Sequence, residues 1–296
     1  MKNVLSIIVT YNFEPWLDKC LSSLLHSSHP TDIIVIDNAS QDNTVELIRH
    51  NYPQIILRES RVNLGFGKAN NLGFAYALDK GYDFVFLVNQ DAWVQSNCLA
   101  YLTEKPYPKD IGIISPMHYD GTEQVLDKGF ADYMKQVDAN ENIVTSPFVN
   151  AAFWLIPLFI LKQVGGFSPL FYHYGEDSDY VHRLHYHGYK IAVNREAIAY
   201  HDRQNRTSDD SRKAFFKREF IYFLTEFANI NYSFPKAFTY AVLASIKKAL
   251  QAIYKDRHTF VAYLGIALKL MEKTKAVVTT RRANKRSENR HWLKNL

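Results

Sequence analysis

The sequence predicts an α/β protein, with a mostly parallel central sheet flanked by helices and a C-terminal helical extension. Three observations predict it. Over the first 115 residues, short β-branched apolar runs alternate with segments whose apolar residues recur at helical spacing, the pattern of βαβ units. Polar residues stand directly after three of these runs, where open α/β sheets bind ligands. Beyond Ser211 the pattern turns mostly helical, with no internal repeat or low-complexity segment. The expected organisation is an α/β domain over residues 1–210 and a helical extension with a basic tail over 211–296.

Val4–Thr10 is a continuous apolar run, as expected for a strand buried on both faces. Leu17, Leu21, Leu24 and Leu25 then recur at helical spacing, Asp32–Asp37 is a second apolar strand, and Thr44–His50 reads as a helix. Ile55–Arg58 is a shorter third strand, Lys68–Leu78 a helix of small and apolar residues, and Phe84–Val88 and Ile111–Ser115 two further strands. From Pro116 to Ser146 the pattern is irregular and polar, which predicts loops or a hairpin, and Phe148–Ile156 is apolar again. Gly165-Gly166 marks a helix stop. Tyr180, Val181 and Leu184 predict a helix opened by Asp177 or Asp179 and closed at Gly188. Ile191–Val193 and Ala197–Tyr200 read as two short strands. Two apolar helical stretches, around Ala237–Ile246 and Phe260–Leu270, are interleaved with lysines, and Arg281–Leu296 reads as a mobile basic tail.

Composition excludes several classes. Cys20 and Cys98 are too few for a disulfide framework, and neither belongs to a CxxC pair that would suggest thiolate zinc. The apolar run after Lys2 is too short for a signal peptide, and Asn12, Glu14 and Pro15 follow it without a small-residue cleavage site. No stretch approaches the roughly 20 apolar residues needed to span a bilayer. A cytoplasmic protein, peripheral at most on the inner face of the cell membrane, is the expectation. The net charge of +5 hides an asymmetry: residues 236–296 hold 14 Lys/Arg against 3 Asp/Glu, and residues 1–235 hold 21 against 27. A basic tail on an acidic body suits an anionic surface, membrane phospholipid ahead of nucleic acid. A solvated helical face, or helices packed against a second subunit in a homo-oligomer, explains the same pattern.

Three polar groups follow strands and should gather on one rim: Thr10-Tyr11-Asn12, Asp37-Asn38 and Asn89-Gln90-Asp91. A strand-end carboxylate such as Asp91 suits Mg²⁺ or Mn²⁺, which take hard oxygen ligands and share them with substrate phosphates. Asp37 suits a nucleobase N–H or a ribose hydroxyl. Asn63 and Gly65, before a helix, suit a phosphate or base, whereas Asp42 and Asn43 read as caps. Glu176-Asp177 opens a helix after a Gly-containing segment, a place from which a carboxylate can take a proton. As neighbours, the two acids would raise one another's pKa; as helix-opening residues, they would also complement its dipole. His182, His185 and His187 lack a partner at zinc spacing and read as a packed or solvated cluster.

The chain resembles a family 2 glycosyltransferase of the GT-A fold, Rossmann-like, of the bacterial rhamnosyltransferase-like subgroup. The resemblance rests on Ser6–Asn12, Val35–Thr44, Asn63–Phe66, Asn70–Gly73, Leu87–Asp91 and the run from Gly165-Gly166-Phe167 through Glu176–Asp179 to Arg183. These segments cover roughly residues 3–205. The resemblance implies inverting transfer of a sugar from a nucleotide-diphosphate donor to a hydroxyl of a glycan or lipid-linked glycan. Thr10, Asn12 and Asp37 would hold the nucleoside, and Asp91 would bind the metal. Asn89 stands at the first position of the family's D-x-D element, bringing an amide and no charge. Asp177 would be the base with Glu176 beside it, and His201 a further metal ligand. Asn150 and Trp154 would line the acceptor side. By residue type, Trp154 or Trp93 suits stacking on a sugar ring and equally suits the core, and Arg203 and Arg206 suit either a diphosphate clamp or a solvated loop. The resemblance favours dTDP-rhamnose over UDP- or GDP-linked donors.

Two other readings compete. A catalytically degenerate nucleotide-sugar-binding protein would keep the nucleoside pocket and lose the base, yet Asp91 and Asp177 are both present. A nucleic-acid-binding protein would explain the basic tail and leave the acidic body and strand-end carboxylates unexplained.

Overall fold

A computed structural model describes residues 1–135, 141–203, 211–287 and 292–293. Strands β1 (Val4–Thr10), β2 (Asp32–Asp37), β3 (Ile56–Glu59) and β4 (Phe84–Asn89) lie in the order β3-β2-β1-β4 and are mutually parallel. Helices α1 (Leu17–Leu25), α2 (Thr44–Asn51) and α3 (Phe66–Lys80) cross between them. Alternation along β1 explains why its run is apolar throughout. Leu5 and Ile7 enter one buried cluster with Phe74 of α3, while Val4 and Ile8 enter another with Leu21 of α1. A strand sandwiched in this way exposes no face to water.

The chain continues through β5 (Ala92–Val94), α4 (Cys98–Glu104), β6 (Ile111–Asp120), α5 (Lys128–Met134), β7 (Ile143–Ser146), β8 (Phe153–Pro157), α6 (Leu158–Val164), α7 (Glu176–Tyr186) and β9 (Lys190–His201). The sheet extends beyond β4 as β8-β6-β9-β5, and β7 also pairs with β9. Among the described residues six strands run one way; β5, β7 and β8 oppose them.

Two expectations for this half need correction. Residues 116–146 are not irregular throughout, since β6 extends to Asp120 and α5 and β7 follow. The two short strands expected over 191–200 form one strand. Its pairing with β6 shifts between Pro116↔Asn194 and Met117↔Ile198, so Arg195-Glu196-Ala197 bulge from the ladder. That polar interruption looks like a strand end in sequence, but a bulge bends a strand without ending it.

The C-terminal helices are α8 (Arg212–Ala228), α9 (Phe234–Phe238), α10 (Ala244–Ala252), α11 (Arg257–Glu272) and α12 (Thr274–Asn284), with a π-helical turn, Thr239–Leu243, joining α9 to α10. They enclose their own apolar cluster, including Phe223, Phe227, Tyr263 and Leu270, which Phe171 joins from outside. The expected boundary at 210/211 adjoins residues 204–210, which lie outside the described residues.

The expectation of a mobile tail from Arg281 fails for the described part. Arg281 is buried in α12, and its guanidinium donates to the carbonyls of Phe227 (3.1 Å), Asn229 and Tyr232 (2.7 Å). The last carbonyls of a helix such as α8 have no intrahelical donor, and a cation from another helix supplies one. Further on, Leu293 joins the core cluster beneath α3, and Asn71 Nδ2 donates to the Trp292 carbonyl at 3.2 Å. Among the described residues, no helix is long and apolar enough to cross a membrane.

Candidate active site

Sheet register assembles the rim. Thr10 stands opposite Asp37 and Val9 opposite Asn89, so the three strand-end groups meet at one edge. They border a cleft of about 620 Å³, whose lining includes Thr10, Asn63, Gly65, Asn89, Asp91, Asn150, Glu176, Asp177 and Arg203.

On the nucleoside side, Asp37 sits just behind the lining. Its carboxylate accepts from Thr10 Oγ1 at 3.1 Å and from the Ser40 amide at 3.0 Å, which fixes the turn after β2. Asn12 is exposed with φ +54°, and its Oδ1 accepts from the Gln41 amide at 2.9 Å. Both expected donor residues thus brace the loop next to the cleft in place of lining it. Asn38, which sequence reasoning left without a role, is buried and accepts from the Leu64 amide at 2.9 Å. Asn63 Oδ1 accepts the Gly65 amide at 2.9 Å. Gly65 has φ +76° and ψ 169°, a region open essentially to glycine alone. A Cβ there would lie 2.1 Å from the Tyr172 carbonyl oxygen.

At the centre, Gln90 clips the rim together. Its side chain accepts from the Tyr11 amide at 2.7 Å and donates to the Tyr11 carbonyl at 3.1 Å. Asp91 is buried, and its Oδ1 lies 3.1 Å from His201 Nε2. The short strand β5 creates this meeting, because Ala92 pairs directly with His201. Behind the imidazole, Arg203 Nε donates to His201 Nδ1 at 3.2 Å and pairs with Asp127 Oδ2 at 3.4 Å. Arg206 lies outside the described residues.

The pair has the spacing of two ligands to one divalent cation. Two cis ligands of an octahedral ion, each about 2.1 Å from it, sit about 3 Å apart, which matches the Asp91–His201 separation. Among the described residues no group of three or more His, Cys, Asp or Glu side chains is placed to hold a metal ion. A two-ligand protein site suits Mg²⁺ or Mn²⁺, which commonly complete their shells with substrate phosphates and water. Asn89 Nδ2 lies 3.3 Å from His201 Nε2, so the amide sits beside this pair.

Opposite stands the N-terminus of α7. Gly175 precedes it with φ +87°, and Ile221 and Phe171 would crowd any Cβ placed there. Glu176 and Asp177 then open the helix, both lining the cleft. Asp177 Oδ1 accepts from the Ser178 amide at 2.7 Å. One turn further in, the buried Asp179–Arg183 pair is 2.9 Å apart, and Arg183 donates to the carbonyls of Val164 and Gly166 at 2.8 Å each. This link ties the Gly165-Gly166 segment to α7 and explains why both segments belong to one sequence pattern.

The model of the Glycosyl transferase family 2 matches residues 6–201. This chain belongs to that family. An N-acetylglucosaminyl-diphospho-decaprenol L-rhamnosyltransferase of Mycobacterium tuberculosis is 26% identical over 71% of this chain and 80% of its own. Among solved structures, TarS 1–349 of S. aureus in complex with UDP-GlcNAc matches with a TM-score of 0.58 at 15% identity, over 96% of this chain and 88% of its own. Mannosyltransferase PcManGT from Pyrobaculum calidifontis, in complex with GDP-Man and Mn²⁺, matches with a TM-score of 0.58 at 16% identity, over 93% and 87%. The fold is GT-A, and the protein is a glycosyltransferase.

Electrostatics separate the two helix-opening acids of this glycosyltransferase. Burial, and then the charge of Asp177, push Glu176 up to about 8, so it holds its proton at neutral pH. Glu176 Oε2 is buried without a hydrogen-bond partner among the described residues. Burial also raises Asp177, opposed by hydrogen bonds from the amides of Ser178 and Ala151.

Asn150 lines the cleft. Trp154 does not: its ring is fully buried, stacks on Phe167 with ring centroids 6.1 Å apart, and donates Nε1–H to the Val149 carbonyl at 3.1 Å. Strand alternation along β8 turns Trp154 into the core cluster that holds Tyr180 and Phe167, and Phe153 into the opposite one. Trp93 is also buried, with Lys19 over its ring. Asp42 accepts from the Thr44 amide at 3.1 Å, as a cap does. In the histidine cluster His187 Nε2 contacts the Asn284 carbonyl at 2.9 Å, and burial lowers His182 to about 4. Sequence reasoning missed Tyr172, His173 and Tyr174, which line the cleft mouth; their loop has no periodicity to mark it.

Proposed function

We propose that this glycosyltransferase moves a sugar from a nucleoside-diphosphate donor to a hydroxyl of a lipid-linked glycan, with inversion at the anomeric carbon. Residues 1–210 act as the catalytic unit and 211–296 as an appended helical unit. One observation carries the reading: a carboxylate at the start of α7, Asp177, faces the same cleft as the Asp91–His201 pair. In a single displacement the acceptor hydroxyl gives its proton to Asp177 as its oxygen bonds to the anomeric carbon. The bond from that carbon to the diphosphate breaks on the opposite face. Glu176, protonated at neutral pH, leaves Asp177 as the charged member of the pair.

Asp91 and His201 would hold Mg²⁺ or Mn²⁺, which when bound offsets the negative charge of the diphosphate. Arg203, lining the cleft beside them, adds positive charge near the leaving group. Thr10, Asn63, Gly65 and Asn89 take the nucleotide side of the cleft, with Asp37 and Asn12 holding that side in shape. Asn150 takes the acceptor side. The Mycobacterium tuberculosis relative, named for L-rhamnosyl transfer to a decaprenol-linked sugar, supports dTDP-rhamnose as the first donor to test and a lipid-linked acceptor.

The test is a transfer assay with dTDP-rhamnose, UDP-sugars and GDP-sugars against polyprenyl-diphosphate-linked sugars, with and without Mn²⁺. Product stereochemistry is read by NMR. An inverted product from one donor class supports the proposal, and a retained anomer sinks the mechanism. Donor binding without any transfer in the panel would favour the catalytically degenerate reading.

A further inference from the structure

Helix α11 is apolar on both faces. Tyr263, Ile266 and Leu270 are buried against the other C-terminal helices, yet Val261, Leu264 and Leu268 on the other face are 57%, 39% and 53% exposed. A helix that is apolar all round belongs in an apolar surrounding on both sides. The preceding helical segment repeats the feature, with Leu243, Leu250 and Tyr254 recurring at helical spacing and Tyr254 97% exposed. Among the described residues, twelve of the twenty exposed large hydrophobic side chains fall between Phe215 and Met271. Such concentration marks an interaction surface rather than scattered exposure.

Charge selects the occupant. Residues 236–296 hold 14 Lys/Arg against 3 Asp/Glu. Lys247, Lys255, Arg257 and Lys269 are exposed around these apolar positions. One of the three acids, Asp256, is already engaged: it caps α11 and pairs with Arg212. In a two-fold dimer the same patch faces itself, so these cations would meet like charge with few carboxylates to offset it. Anionic phospholipid headgroups supply the missing charge, and the acyl boundary takes the leucines. Tyrosines such as Tyr240 and Tyr254, which join an aromatic ring to a polar tip, suit that boundary.

We propose that the outer faces of the α10 region and α11 form an interfacial docking surface for an anionic lipid bilayer. The protein would lie on the membrane with these side chains inserted, crossing nothing. This surface is separate from the catalytic cleft, so the inference stands or falls independently of the transfer reaction.

The experiment is co-sedimentation of the full chain with vesicles of phosphatidylcholine alone or with 30% phosphatidylglycerol. It is run for the wild type, Leu264→Glu/Leu268→Glu and Lys247→Ala/Lys255→Ala. Thermal melts confirm folding, and light scattering reports oligomeric state. Expected results are binding to the anionic vesicles at least tenfold stronger than to neutral ones, and a loss of tenfold or more in the Leu variant. The Lys variant should bind several-fold more weakly, with a reduced dependence on salt. Should the Leu variant melt abnormally, the Lys variant and the salt dependence decide alone. Three outcomes would overturn the proposal: no binding by the wild type, equal binding to both vesicle types, or a wild-type dimer that the Leu substitutions split.

Discussion

His201 Nε2 lies 3.1 Å from Asp91 Oδ1, although 110 residues separate them in the chain. The antiparallel pairing of Ala92 with His201 makes the contact. If the two share a cation, removing either should matter chiefly when metal is present. Asp91→Ala and His201→Ala should each weaken donor binding in Mn²⁺ by about tenfold or more, with a smaller change in EDTA. Calorimetric titration of the nucleotide donor under both conditions checks this. Equal losses with and without metal would assign the pair a purely structural role.

Asp177 carries the proposed proton transfer. Asp177→Asn should lower the transfer rate by about 10²–10⁴-fold, the usual contribution of a positioned acid or base, while donor affinity stays within a few-fold. Initial rates and donor titrations separate the two effects. Because burial raises this carboxyl, the acid limb of the rate profile should lie above the ordinary Asp range. Activity should increase with pH through that limb as the base ionises.

Glu176 predicts a signature in stability. Its folded value, about 8, is above the ordinary glutamate value of 4.5, so the folded state binds the proton more tightly than the unfolded chain. Stability from this group is complete below the unfolded value and is lost as pH rises through the window up to about 8. The slope there approaches about 1.4 kcal/mol per pH unit. Glu176→Gln should flatten the decline in denaturation midpoint between pH 5 and 8. An unchanged slope would show that Glu176 ionises normally.

Gly65→Ala should be poorly tolerated. The backbone there costs a non-glycine residue about 1–3 kcal/mol, and the added carbon would meet the Tyr172 carbonyl at 2.1 Å. Relieving that clash displaces the aromatic loop at the cleft mouth. A drop in melting temperature, together with weaker donor binding, is the expected result by thermal shift.

Trp154 distinguishes packing from acceptor recognition. Trp154→Ala should cost about 3–5 kcal/mol by leaving a cavity in the core. Trp154→Phe should fold with a smaller loss and leave the acceptor KM unchanged. A raised acceptor KM in a stable Trp154→Phe variant would return this residue to the acceptor site.

The buried strands and their helices were legible because burial imposes a local period that the side chains must obey. Val4–Thr10 and Asp32–Asp37 are observed with the expected bounds. The rim was legible for the same reason, since a parallel sheet places the residues following its strands at one edge. Asp91 and Asp177 were named from the sequence, and both line the cleft. Features set by non-local pairing were less legible. The bulge at Arg195–Ala197 read as a break between two strands, and the helix α5 and strand β7 were lost in a polar stretch.

The sequence by itself determined the α/β class, the strand-end rim and the acids around the cleft, because hydrophobic period and strand-end polarity are properties of short segments. Tertiary structure alone decided that His201 meets Asp91, that Trp154 turns into the core and that Arg281 is buried against three carbonyls. Each of these depends on sheet register or helix docking between segments far apart in the chain. Such pairings minimise unsatisfied polar groups and exposed apolar area over the whole fold, and no local window of sequence contains that balance.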